Sequence, residues 1–132
     1  MKAIDTHVLI RFLVKDNEQQ AELVYKLFKE AESLKEELFV PIVVVLETVW
    51  VLESVYKIPR QEIVDSMNEL LLMPILEFES QSAIKGFVSS AIETKIDLSD
   101  ILIAHAALSA GCETMLTFDK HASSFGFFRL LE

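Results

Sequence analysis

The chain has 132 residues, 52% of them hydrophobic, and a formal net charge of −9. Its length fits one domain spanning residues 1–132, and its apolar content suffices for a core without staples. A single cysteine excludes an intramolecular disulfide and a zinc-finger ligand set, and the acidic balance argues against a simple nucleic-acid binder that grips phosphates through a basic face, an objection that weakens where acids converge on a cation.

In chain order, Met1 to Ile4 reads as a short buried strand ending at Asp5. Val8 to Val14 reads as a short helix. From Asn17 to about Ser33, Ala21, Val24, Leu27, Phe28 and Ala31 recur at the helical period, with Asp16 or Asn17 as N-cap. Leu38 to Val40 is a strand. Pro41 to Tyr56 contains a β-branched run that favours a strand. Pro41 nevertheless suits a first helical turn, and the apolar pattern outruns an ordinary strand, so a helix is expected. Pro59 breaks the chain before an amphipathic helix over Arg60 to Leu72.

Pro74 to Phe78 reads as a strand and Ser80 as the cap of a helix to about Thr94. Asp97 or Ser99 opens a helix over Leu98 to Ala110 that Gly111 stops. Thr114 to Phe118 reads as a buried strand ending at Asp119, and Phe127 to Leu131 as the last strand. Strands alternating with helices imply an α/β protein with a parallel sheet covered on both faces. No stretch has the length and apolarity of a membrane span, because Pro41 and Glu47 interrupt the most apolar run. No secretory signal is read at the start, where Asp5 and Arg11 interrupt the apolar stretch, so a cytoplasmic protein with Cys112 as a buried free thiol is expected.

Four acids stand out by position. Asp5 and Asp119 end strands, and ligands of open α/β sheets bind beyond the carboxyl ends of strands. Glu47 lies within VVVLETVWVL and Asp100 within LSDILIAHAAL, apolar helices where a charge is paired, exposed or functional. Asp100 falls in a first turn, near the positive end of the helix dipole. Were the four to share a pocket, some would protonate or a cation would sit among them; oxygen-only ligands select a hard ion, Mg²⁺ or Mn²⁺. Each acid also has an ordinary structural explanation. Asp5 can cap the first helix, Glu47 can lie on a solvated stripe, Asp100 can close a capping box opened by Asp97, and Asp119 can be a turn residue.

The motifs carrying these acids resemble those of a known family. AIDTHVLIRFLV is similar to the opening of PIN domains, FVPIVVVLETVWVLESVY to the segment with their second acid, and IDLSDILIAHAALSAGCETMLTFDK to their third and fourth acid motifs. The resemblance spans nearly the whole chain and is closest to VapC-like ribonuclease toxins of prokaryotic toxin–antitoxin pairs. It implies a three-layer α/β/α sandwich with a central parallel sheet, and metal-dependent endonucleolytic hydrolysis of RNA phosphodiesters. By motif position it makes Asp5, Glu47, Asp100 and Asp119 the catalytic metal ligands. Thr6 and Thr117 become supporting hydroxyls, and Asp97 an N-cap close enough to support the site. It also implies an antitoxin whose tail blocks the site, and the apolar helices suggest a homodimer.

One departure is His7, where the family usually carries Asn. It raises a competing expectation, a non-catalytic PIN-like interaction module with a degraded site. A receiver- or phosphatase-type phosphoryl-transfer protein is a third class that places Asp at strand ends, but no second Asp follows two residues after Asp5. His105 is expected to be packed or partner-facing, Trp50 to be core or interface, and Arg11 to be solvated surface charge.

Overall fold

A computed structural model describes all residues, Met1–Glu132. The chain divides into two compact units, Met1–Glu79 and Ser80–Glu132.

The first unit is built on three parallel strands, β1 (Lys2–Ala3), β2 (Leu38–Val40) and β3 (Leu76–Phe78), in the order β1-β2-β3. Between β1 and β2 run helices α1 (Thr6–Leu13) and α2 (Glu18–Leu34). Between β2 and β3 run α3 (Ile42–Ser54) and α4 (Arg60–Leu71). Parallel neighbours need such crossovers, because a tight turn cannot return the chain in the same direction. Helix α1 packs on α2 and α3, and α3 on α4. The core takes Leu9 and Ile10 from α1, Val45, Val49 and Leu52 from α3, and Ile63, Met67 and Leu70 from α4. In α3 the buried positions 45, 48, 49 and 52 follow the helical period, so the β-branched run is helical because one stripe of it is buried. Asn17 caps α2 by accepting from the Gln20 N–H at 3.0 Å, and Lys35 ends that helix in the left-handed region at φ 56°.

The second unit contains α5 (Gln81–Glu93), α6 (Leu98–Ser109), β4 (Met115–Thr117), a 3₁₀ turn over Ala122–Ser124 and β5 (Phe128–Leu130). Its two strands are also parallel, pairing Met115 with Phe128 and Thr117 with Leu130. Helices α5 and α6 lie against each other, and Ala104, Ala122 and Phe128 form a small cluster with Met115, Phe125 and Phe127 around it. Gly111, at φ 95°, follows α6 as its stop. Gly86 on α5 meets the imidazole of His105 on α6 so closely that a Cβ there would overlap the ring. His105 also hydrogen-bonds Ser90 Oγ through Nε2 at 2.7 Å.

Three expectations about burial need correction. Lys2 and Ala3 of β1 are exposed and only Ile4 beyond them is buried, since side-chain burial follows what covers a strand's faces and not its apolar run. Strand β4 is likewise only partly covered, with Leu116 exposed. Cys112 is exposed rather than buried, as it lies past the end of α6 beside Gly111.

Candidate metal centre

In the first unit, Asp5 leaves the carboxyl end of β1 and is the N-cap of α1, its Oδ1 accepting from the Thr6 N–H at 2.7 Å. The capping explanation therefore holds for Asp5. It does not exclude ligation, because a carboxylate has two oxygens and several lone pairs. Helices α1 and α3 start from the carboxyl ends of adjacent parallel strands and pack together. That brings Thr6, the first residue of α1, to Glu47 in the second turn of α3: the Thr6 hydroxyl donates a short hydrogen bond to Glu47 Oε1. Thr6 is buried and Glu47 exposed, so a buried hydroxyl holds one oxygen of a carboxylate whose body faces solvent. Thr6 thus bonds both acids, its N–H donating to Asp5 and its hydroxyl to Glu47.

Glu79, which follows β3, has a role the sequence did not disclose. Pro41 offers no side-chain cap to α3, and Glu79 Oε1 accepts from the Ile42 N–H at 3.1 Å instead. A carboxylate at a helix amino terminus is favoured by the helix dipole. Arg11 also departs from expectation. It is held by Gln20 Oε1 at 2.6 Å, by Tyr56 Oη at 3.1 Å and by Asp16 at 3.4 Å, so it is a structural tie rather than a solvated charge. His7 is exposed.

In the second unit, Asp119 is a turn residue as well as a strand-end acid. Its Oδ1 accepts from the N–H groups of His121 and Ala122 at 2.9 and 3.3 Å, and its own N–H donates to Thr117 Oγ1 at 2.9 Å. Thr117 therefore orients Asp119 through the backbone. Asp97 is the N-cap position of α6 but makes no side-chain cap bond, so the capping-box account of Asp100 finds no support. Asp100 instead stands in the field of Asp97 and Asp119. Its carboxyl is held above the ordinary value of 3.8 first by burial, then by repulsion from Asp97 and from Asp119, with His121 acting in the opposite direction. His121 was not anticipated. Its signal was its place two residues after Asp119, in the turn that the Asp119 carboxylate itself organises.

The donor chemistry suits a hard divalent cation, since all the candidates offer oxygen and the acids around Asp100 repel one another. Within neither unit do three Asp, Glu, His or Cys side chains close into a ligand set. Cavity size does not locate the site either. A groove of about 600 Å³ in the first unit is lined by Phe12, Phe28, Met73 and Ile75 and carries none of the candidate acids.

The sequence signature of the PIN domain family matches residues 2–127, across both units and all four acids. The chain belongs to the PIN domain family, and its α/β/α fold class is the family's. Among characterised proteins it is similar to a VapC ribonuclease of Aquifex aeolicus (strain VF5), with 28% identity over 127 residues, covering 96% of this chain and 93% of that protein.

Proposed function

We propose that this PIN domain is an endoribonuclease that depends on Mg²⁺ or Mn²⁺, acting as a VapC-like toxin restrained by a cognate antitoxin. The support that carries the reading is the family match over residues 2–127 together with similarity to a VapC ribonuclease over 96% of the chain. In this reading residues 1–132 work as one nuclease domain, and Asp5, Glu47, Asp100 and Asp119 are the catalytic and metal-binding residues. When bound, the ion lowers the pKa of water and neutralises charge on the phosphoryl oxygens.

The protein's own groups do the rest. Thr6 fixes one oxygen of Glu47, leaving the other for the site. The backbone N–H groups of His121 and Ala122 fix Asp119 in the same way. One carboxylate takes the proton of the attacking water as the new oxygen–phosphorus bond forms, and the bond from phosphorus to the leaving ribose oxygen breaks. Asp97 and Thr117 are supporting residues. No helix is long and apolar enough to cross a membrane; a cytoplasmic homodimer is part of the proposal.

The test is cleavage of RNA by the purified full chain with Mg²⁺ or Mn²⁺ and with a chelator. Cleavage is expected only with the ion, and it should be lost in Asp5→Asn and Asp100→Asn. Full activity in both variants would remove the site assignment. The second reading, an interaction module with a degraded site, draws on the absence of a closed three-ligand set within either unit and on His7. It predicts no heat of binding at millimolar Mg²⁺ or Mn²⁺ in calorimetry.

A further inference from the structure

The apolar groove of the first unit lies at the other end of its sheet from Asp5. Ile75, in the groove wall, directly precedes the amino end of β3, whereas Asp5 follows the carboxyl end of β1, and the strands are parallel. The volume of about 600 Å³ is in the range that takes a small organic molecule. Phe12 of α1 and Phe28 of α2 supply an aromatic wall, their ring centres 4.9 Å apart and their planes tilted by 48°. Met73 and Ile75 add apolar surface, and the exposed ring of Tyr25 lines the groove beside them.

Two charges join this lining, Lys29 and Glu32, both exposed on α2. Opposite charges three residues apart on a helix can pair across its surface. These two do not. The Lys29 ammonium is drawn over the Tyr25 ring, 5.7 Å from its centre, and neither it nor the Glu32 carboxylate has a hydrogen-bond or ion-pair partner. An aromatic bed is thus flanked by one uncommitted positive group and one uncommitted negative group on the same helix.

We infer that this groove is a binding site for a free aromatic α-amino acid, its ring among Phe12, Tyr25 and Phe28, its carboxylate on Lys29 and its ammonium on Glu32. Each simpler ligand leaves something unmet. An apolar molecule uses the rings and neither charge. An aromatic or fatty acid pairs with Lys29 but brings a like charge to Glu32, and an amine does the converse. A zwitterion satisfies both, because its two charges sit on one carbon beside the apolar part. An aromatic ring gains tilted and edge-on contacts with the rings of the wall, beyond the area it buries. The inference is independent of the ribonuclease reading, since none of the candidate acids lines the groove.

Calorimetry on the full chain tests it with L-phenylalanine and three relatives. These are 3-phenylpropionate, which lacks the ammonium, phenethylamine, which lacks the carboxylate, and N-acetyl-L-phenylalaninamide, which carries neither charge. One saturable site for L-phenylalanine is expected, with each relative bound about tenfold more weakly or worse. Lys29→Met should weaken L-phenylalanine about tenfold and leave phenethylamine unchanged. Glu32→Gln should weaken L-phenylalanine by a similar factor and leave 3-phenylpropionate unchanged. Both side chains are exposed, so the fold survives either replacement. No saturable heat at millimolar L-phenylalanine overturns the inference. Equal affinity for the uncharged amide also overturns it and makes the groove a peptide site; equal affinity for 3-phenylpropionate does so and makes it a site for apolar acids. A dimer in sedimentation that Tyr25→Ser dissociates, with no binding of L-phenylalanine, overturns it by seating a second copy of the chain in the groove.

Discussion

The two units handle negative charge in opposite ways. In Met1–Glu79 the acids are bonded: Asp5 caps α1, Glu47 receives the Thr6 hydroxyl, and Glu79 caps α3. In Ser80–Glu132, Asp119 is fixed by two backbone N–H groups, but ionised Asp100 is disfavoured first by its partial burial and then by repulsion from Asp97 and Asp119. The first unit is thus arranged to position carboxylates without help. The second carries an electrostatic cost that a bound cation would offset.

The largest effect that can break this contrast is on activity. Asp5→Asn or Asp100→Asn should each lower cleavage about a hundredfold or more, corresponding to several kcal/mol of lost transition-state stabilisation. Without metal the two should differ in stability. Ionised Asp100 is disfavoured in the fold, so Asp100→Asn should raise Tm, whereas Asp5→Asn should not. The sign follows from linkage. A carboxyl raised above 3.8 in the folded state binds its proton more readily there than in the unfolded chain. Its unfavourable contribution is present above the raised value and fades as pH falls through it towards 3.8. Calorimetric melting of both variants with and without Mg²⁺ measures this; equal Tm shifts in chelator would erase the distinction.

Next in size is Gly86→Ala. The methyl must displace the His105 ring, and overpacking of this kind costs about 1–3 kcal/mol. Urea unfolding should show the loss, and Gly86→Ala combined with His105→Ala should recover part of it. A smaller effect is expected from Thr6→Val, which removes the bond to Glu47 and should cost about 1 kcal/mol of stability together with a measurable drop in kcat. If kcat is unchanged, Glu47 does not need Thr6 to be positioned. The smallest is a pH effect at His105, whose pKa burial pushes below 6.5. The unfolded chain then protonates first as pH drops. Stability contributed by the neutral ring is complete above 6.5 and declines through the window below it. His105→Gln should flatten that part of a Tm-against-pH curve.

Much of this was legible in the sequence because it is periodic or punctuated. The helices of α2, α3 and α6 followed from apolar spacing with Asn17, Pro41 and Gly111 at their ends, and the strand-end positions of Asp5 and Asp119 followed from the apolar runs before them. What depends on neighbours in space was hidden. Whether β1 and β4 are buried depends on what covers their faces, which an apolar run does not reveal. The capping of α3 by Glu79 joins residues 37 apart, and the tie from Arg11 to Tyr56 joins residues 45 apart. His121 was missed because its meaning comes from Asp100, on an element remote in sequence. Trp50 was expected in the core or at an interface, and its exposure on α3 removes the first of these.

The accident that Trp50 and Cys112 are the sole residues of their kinds gives each unit one addressable optical label. Both side chains face solvent, so the indole reports on the first unit and a thiol-reactive dye on Cys112 on the second, without any substitution. The native polypeptide can therefore show, as ions or an inhibitor protein are added, which of its two units responds.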